Sequence, residues 1–320
     1  MTKIIKITHP HSIQKEECKE TVLALGFFDG VHKGHQQVIK TAKAIADEKG
    51  LLLSVMTFDP HPSAILGNRD ESISYLTPLE LKVKWMEKLG VDQLFIVQFT
   101  EEFANLLPQE FVDQYIIGLN AKHVVAGFDF SFGKYGKGTM ESLPFHSRNE
   151  FTQTTVSKYD FENEKVSSTR IRQAIISGEM DEAAKLLGRP YQIKGTVVDG
   201  DKRGRTIGFP TANISVSVPY ALPSVGVYAV KCIINGLIFE GMCNIGYKPT
   251  FYHEFQKQTI EVNIFDFNED IYGREVEIYW YTRIRDEKKF NGINELIEQL
   301  QKDREVVKQY FKECLTDTCI

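Results

Sequence analysis

The chain has 320 residues, 42% hydrophobic and 25% charged, an ordinary globular balance with enough length for two cores. A formal net charge of −5 provides no general basic field, which argues against bulk attraction to nucleic acid or an anionic membrane. The five cysteines, at 18, 232, 243, 314 and 319, form no Cys-x-x-Cys pair, disfavouring a disulfide framework and a thiolate zinc site; with no basic-then-apolar leader and no apolar run long enough to span a membrane, a cytoplasmic protein is expected.

Apolar runs at 21–28 (TVLALGFF), 51–58, 93–99 and 122–128, each bounded by turn residues, predict buried strands. Between them, 35–50, 77–90 and 108–120 carry helical spacing and end at Gly or Asn. Such alternation implies a doubly wound parallel sheet, whose ligands bind at the carboxyl ends of the strands. At the first of these ends stands GFFDGVHKGH, residues 26–35.

His32 and His35 in that stretch could be a metal pair, an acid/base pair or part of a phosphate cradle. A metal site would need a further Cys, His or carboxylate, and helical zinc pairs usually fall at i, i+4 with a nearby glutamate; neither condition is met locally. Two histidines capping a surface helix is the plain structural alternative. Gly26, Gly30 and Gly34 favour the cradle, because they let backbone approach a ligand closely where the following helix offers free N–H groups.

Residues 167–190 predict two short helices closed by Gly188 and Pro190, the first opening on SSTRIR at 167–172. From Tyr191 the pattern changes to strands at 191–198, 225–234, 237–245, 258–267 and 275–285, with a turn at Asn235-Gly236. An all-β domain is expected, a small closed barrel. The last segment, 292–315, has Ile293, Leu296, Ile297, Leu300, Val307 and Phe311 at helical spacing and should pack on that barrel. The boundary is placed near 186–190.

The pairing of GFFDGVHKGH with SSTRIR resembles the histidine-containing nucleotidyltransferases, in particular the FAD synthetase (FMN adenylyltransferase) branch. The resemblance implies that His32 and His35 serve the transition state at phosphorus, that Ser168, Thr169 and Arg172 hold the β- and γ-phosphates of ATP, with Arg172 counted among the catalytic residues, and that Gly26, Phe28, Asp29, Gly30 and Gly34 belong to the nucleotide site. TFDPHP (57–62) is similar to the family's flavin-side loop, which assigns Asp59, Pro60 and His61. GFDFSFGKYGKG (127–138) is similar to its adenosine loop, with Asp129 where some relatives carry Asn; a P-loop is excluded there by spacing.

In the second half, GTVVDGDKRGRTIGFPTANI (195–214) read locally could be only a mobile hairpin. GRTIGFPTANI and its PTAN core, however, resemble the riboflavin kinases. That likeness implies that Thr211 and Asn213 bind Mg²⁺ and ATP phosphates, with Gly200, Arg205 and Gly208 beside them. Glu261 lies in an alternating strand and would ordinarily be just an exposed glutamate; the resemblance makes it the base for the riboflavin 5′-hydroxyl. Asn263 replaces a His common in relatives, with little effect expected, and 285–311 matches the segment that closes over flavin and nucleotide.

Together the motifs resemble bacterial bifunctional riboflavin kinase/FAD synthetases. The implied fold is α/β plus β: a Rossmann-like nucleotidyltransferase domain with a parallel sheet (1–186) and a small antiparallel β-barrel with a terminal helix (187–320). The implied substrates are riboflavin, FMN and ATP with Mg²⁺; no nucleic-acid or membrane partner is expected, and homo-oligomerisation is left open. Two alternatives are a flavin-sensing regulator without turnover, which lost motif residues would favour, and a tRNA-linked synthetase relative, which would want a basic surface.

Overall fold

The computed structural model describes residues 1–67, 74–200, 203–247 and 258–314, the side chain of Arg203 excepted. Cys319, and Asp201 and Lys202 of the glycine-rich stretch, lie outside the described residues. The chain divides into two compact units, Met1–Ser167 and Ser168–Ile320.

In the first unit β1 (Lys3–Ile7), β2 (Thr21–Leu25), β3 (Leu52–Asp59), β4 (Gln93–Gln98), β5 (Ala121–Gly127) and β6 (Thr152–Val156) form a sheet in the order β1-β4-β3-β2-β5-β6. Every pairing in it is parallel. The inner strands are nearly all apolar because both faces are covered. Leu23, Leu25, Met56, Val97 and Val124 join a cluster with Phe103, Phe111 and Tyr115, while Val22, Ala24, Val55 and Ile96 join Val38, Ile39 and Ala42 of α1 (Lys33–Lys49). The chain builds β2, β3 and β4 to one side and then crosses β2 to enter β5. The carboxyl end of β2 is therefore a topological switch point, the place where open α/β sheets take ligands.

The edge strands β1 and β6 are not legible as strands in the sequence, since KIIKI and TQTTV each bury only their last residue fully. The helix expected at 108–120 is a short α-turn, Pro108–Phe111, running into a π-helical segment, Val112–Ile117, that buries Val112, Tyr115 and Ile116. The helix expected at 77–90 is α2 (Leu79–Lys88), which buries Leu81, Lys82 and Met86.

The second unit opens with α3 (Ser168–Ser177) and α4 (Met180–Leu187). Antiparallel strands β7 (Tyr191–Val198), β8 (Ala212–Ser215), β9 (Gly226–Ile234), β10 (Leu237–Tyr247), β11 (Gln258–Ile264) and β12 (Glu275–Arg285) then close a barrel in the order β7-β8-β11-β10-β9-β12. Five of these match the expected strands; β8 is only four residues long, too short for alternation to mark it. Asn235 and Gly236 take φ values of 51° and 81° between β9 and β10, the left-handed pair that a two-residue hairpin requires.

Tyr228 and Trp280, both fully buried, meet edge to face at 5.4 Å. On another face, Phe209, Val227, Ala229 and Met242 pack with Val307 and Phe311 of α5 (Ile293–Cys314). Ile293 departs from its expected place and is 59% exposed. Instead, Asp303 is buried on α5, accepting from Arg285 Nε at 2.9 Å and Nη2 at 2.7 Å. The α3–α4 pair belongs to this unit: Thr282 Oγ1 donates to Asp181 at 2.7 Å, and the turn at Gly178 lies so close to the Ser224 and Tyr228 hydroxyls that a side chain there would strike both. Among the described residues no helix is long and apolar enough to cross a membrane.

Candidate active sites

The first site is built on the turn from β2 into α1. Phe28 and Val31 take φ values of 57° and 41°, a costly conformation for residues other than glycine, and for a β-branched valine above all. That turn folds the Phe28 ring back beneath Gly26, where an added Cβ would lie 2.8 Å from it. Phe28 in turn meets His35 edge to face at 5.3 Å.

His32 caps α1, its Nδ1 accepting from the backbone N–H of His35 at 3.2 Å. An imidazole that accepts at Nδ1 carries its neutral-form proton on Nε2, the nitrogen left to donate. The His32 and His35 rings stack with centroids 3.6 Å apart. Gly34 makes room for this arrangement, since a Cβ there would come within 3.2 Å of the His32 ring. No group of three or more His, Cys, Asp or Glu able to hold a metal occurs among the described residues.

Asp29 is 2% exposed, and its carboxylate accepts from the backbone N–H groups of Leu76, at 3.1 Å, and Thr77, at 2.9 Å. With Phe28 it lies behind the loop that contains Gly30, φ 86°. The segment Asp59-Pro60-His61 leaves the neighbouring strand β3 and is brought against this loop. Phe27 and His61 meet edge to face at 4.1 Å, and His61 Nδ1 accepts from the Ser63 backbone N–H while the His61 backbone N–H donates to the Tyr75 hydroxyl. Asp129 follows β5 and pairs with Lys165 at 2.5 Å, whose ammonium also lies over the Phe128 ring. Loops from the carboxyl ends of β2, β3 and β5 thus carry the expected residues. Ser168 and Thr169 on the first turn of α3, and Arg172 at the start of its second, stand apart in the chain, off its buried stripe of Ile171, Ala174 and Ile175.

The second site lies on the barrel. Register places Asn213 of β8 opposite Glu261 of β11, and Glu261 opposite Asn244 of β10. Directly paired residues share a face, so the carboxylate is flanked by two carboxamides. All three are half-buried. Gly200 lies against Asn213 so tightly that a Cβ would overlap the carboxamide.

Ile207 and Phe209 donate to the Gly204 carbonyl at 3.2 and 2.9 Å, and Gly208 takes φ 82° to close that turn. Arg205 and Thr211 are exposed. The donor set of Thr211 hydroxyl and Asn213 carboxamide is neutral hard oxygen, which fits Mg²⁺ sharing its shell with phosphates. Asn263, expected to matter little, is 6% exposed and donates to the Pro210 carbonyl at 2.6 Å, pinning the turn that carries Thr211.

Three residues of these sites escaped the sequence reading as site residues: Lys82, Asn244 and Asn263. Lys82 had a signal, a cation within the apolar stripe of a helix. The asparagines acquire meaning only from strand register.

Residues 14–170 match the family model described as FAD synthetase, and 187–311 match that described as riboflavin kinase. The chain is 56% identical over 310 residues to the bifunctional riboflavin kinase/FMN adenylyltransferase of Bacillus subtilis (strain 168), covering 97% of this chain and 98% of that one. Its identity to the protein so named in Escherichia coli (strain K12) is 33% over 304 residues, covering 94% and 96%. A crystal structure described as a macrolide-efflux protein from Streptococcus pneumoniae superposes with a TM-score of 0.85 at 38% identity, covering 95% of this chain and 98% of that one.

Proposed function

Because the chain belongs to the bifunctional riboflavin kinase/FMN adenylyltransferase family, we propose that it turns riboflavin and ATP into FMN and ADP, then FMN and ATP into FAD and pyrophosphate. What carries this is that two separate sets of polar residues are each grouped in space, one at the switch point of the sheet and one across β8, β11 and β10. We assign adenylyl transfer to 1–186 and riboflavin phosphorylation to 187–320. The two family matches, at 14–170 and 187–311, support that division.

In adenylyl transfer the FMN phosphate attacks the α-phosphorus of ATP and pyrophosphate leaves, so the protein supplies no nucleophile. Its work is to align two polyanions and to neutralise charge growing on phosphoryl oxygens. The Nε2–H of His32 and the imidazole of His35 donate there; for Ser168, Thr169 and Arg172 the family likeness supports the separate role of holding the β- and γ-phosphates. Phe28 and Asp29 act from behind, holding the loop. Gly26, Gly30 and Gly34 give the backbone its close approach, Asp59-Pro60-His61 faces flavin, and Asp129 contacts either ATP or flavin.

In the kinase step Glu261 takes the proton of the riboflavin 5′-hydroxyl as oxygen bonds to the γ-phosphorus. Thr211 and Asn213 would hold Mg²⁺, which when bound offsets charge on the transferring phosphoryl group. Gly200, Arg205 and Gly208 line the phosphate side. The described cysteines, Cys18, Cys232, Cys243 and Cys314, are free, which supports work in a reducing cytosol.

The test is direct: purified full-length protein with riboflavin, ATP and Mg²⁺ should yield FMN, ADP, FAD and pyrophosphate, identified by chromatography and mass. Riboflavin recovered unchanged beside tightly bound flavin would favour a sensor without turnover.

A further inference from the structure

Lys82, on α2, is 2% exposed. Its ammonium donates to the Phe27 carbonyl at 2.7 Å and to Thr57 Oγ1 at 3.1 Å, and lies 3.9 Å from the Phe27 ring centroid. Thr57 Oγ1 donates to the same carbonyl at 2.8 Å. Lysine is almost never fully buried unless paired, because stripping water from an ammonium is costly. Burial here pushes its pKa down to about 8, opposed by the carboxylates of Asp29 and Asp59. An apolar side chain would fill this stripe between Leu81 and Met86 without that cost.

The groups around the ammonium are not scattered. Phe27 and Asp29 belong to the β2–α1 loop, and Thr57 and Asp59 to the end of β3. Asp29 also fastens Leu76 and Thr77, just ahead of α2. One cation therefore joins both loops that meet at Phe27 and His61.

We propose that Lys82 is a positioning residue for adenylyl transfer: its charged ammonium locks the Phe27–Asp29 and Thr57–Asp59 segments in the register that receives the two phosphate-bearing substrates. The inference rests on the adenylyl-transfer reading above. It requires charge, not just bulk, at residue 82.

The test uses the full chain as wild type, K82M and K82R, assayed for FMN-to-FAD conversion from pH 6.5 to 9.5, with riboflavin phosphorylation measured on the same samples. Wild-type kcat should fall on the alkaline side with the loss of one proton. K82M should lose about 10- to 100-fold in kcat, the scale of one charge-assisted hydrogen bond acting on a rate, with KM for FMN changing less, and should lack the alkaline fall. K82R, always charged, should recover most of the rate and also lack that fall, and kinase turnover should be unaltered in both variants.

A K82M enzyme with wild-type rate and pH profile overturns the inference, as does a K82R enzyme that keeps the wild-type alkaline fall. If the first unit of K82M proves unfolded, shown by loss of one of the wild-type thermal transitions while kinase turnover persists, the K82R profile decides alone. Absence of FAD formation in wild type would strike the adenylyl-transfer reading itself.

Discussion

At the scale of single residues, the roles proposed for His35 and Glu261 predict that replacing either one separates the two reactions. His35→Ala keeps the cap of α1, because the His32 ring accepts from the backbone of residue 35, so the fold should survive while FAD formation from FMN falls by about 10²–10³-fold, the cost of one transition-state donor. FMN formation should stay near wild type; a parallel loss of both rates would remove the histidine from the chemistry. Glu261→Gln should lower riboflavin phosphorylation by roughly 10²–10⁴-fold, with KM for riboflavin and ATP little changed and FMN-to-FAD conversion intact. If neither rate moves, Glu261 is a bystander on its strand.

Lys82 makes a thermodynamic prediction that is independent of catalysis. Its folded-state pKa, about 8, is depressed below the usual lysine value, so between roughly pH 8 and 10.4 the unfolded chain binds the extra proton. Stability then rises with pH across that window, by up to about 3 kcal/mol. Denaturant titrations of wild type and K82M at pH 8 and pH 10 should show wild type gaining on the variant; a constant difference would mean that Lys82 is not held charged against burial.

Among elements, the glycine-rich link from β7 to β8 is the most exacting. Gly200 is pressed against the Asn213 carboxamide, Gly208 supplies a left-handed turn, and Asn263 holds the Pro210 carbonyl. Gly200→Ala should push Asn213 out of its place opposite Glu261, cutting riboflavin phosphorylation by about 10-fold or more, on the scale of a residue misplaced by an ångström. FAD formation from supplied FMN and the melting midpoint should scarcely move. An unchanged kinase rate would show that Asn213 can be moved without consequence. The glycines and PTAN were visible in the sequence, but their purpose was not, because the contacts bring together residues more than ten positions apart.

At the scale of the whole molecule, the functional division proposed at 186/187 and the compact division after Ser167 differ by two helices. α4 buries Met180, Ala183, Leu186 and Leu187 within the barrel unit, and the methionine and the two leucines are each worth about 1.5–3 kcal/mol. A fragment from Ser168 should therefore melt higher than one from Leu187, while both phosphorylate riboflavin and neither makes FAD. Fragments with equal melting midpoints would show that the helices add nothing to the barrel, and loss of kinase turnover in the Ser168 fragment would mean that the barrel unit does not work alone.

Much of this architecture was legible in the chain itself. Inner strands buried on both faces are written as unbroken apolar runs, the barrel as alternation, and the sites as short motifs whose glycines and histidines are rare in combination. Edge strands such as KIIKI and TQTTV are half-solvated and carry no such run. The burial of Asp303 on α5 has the same origin, since Arg285, eighteen residues away, meets that carboxylate; the exposure of Ile293 has no such explanation. Local pattern records how much water a segment will lose. Which polar group answers which, as with Asn244 and Glu261 or Lys82 and Phe27, depends on strand register and helix docking, interactions between distant residues that only the tertiary structure decides.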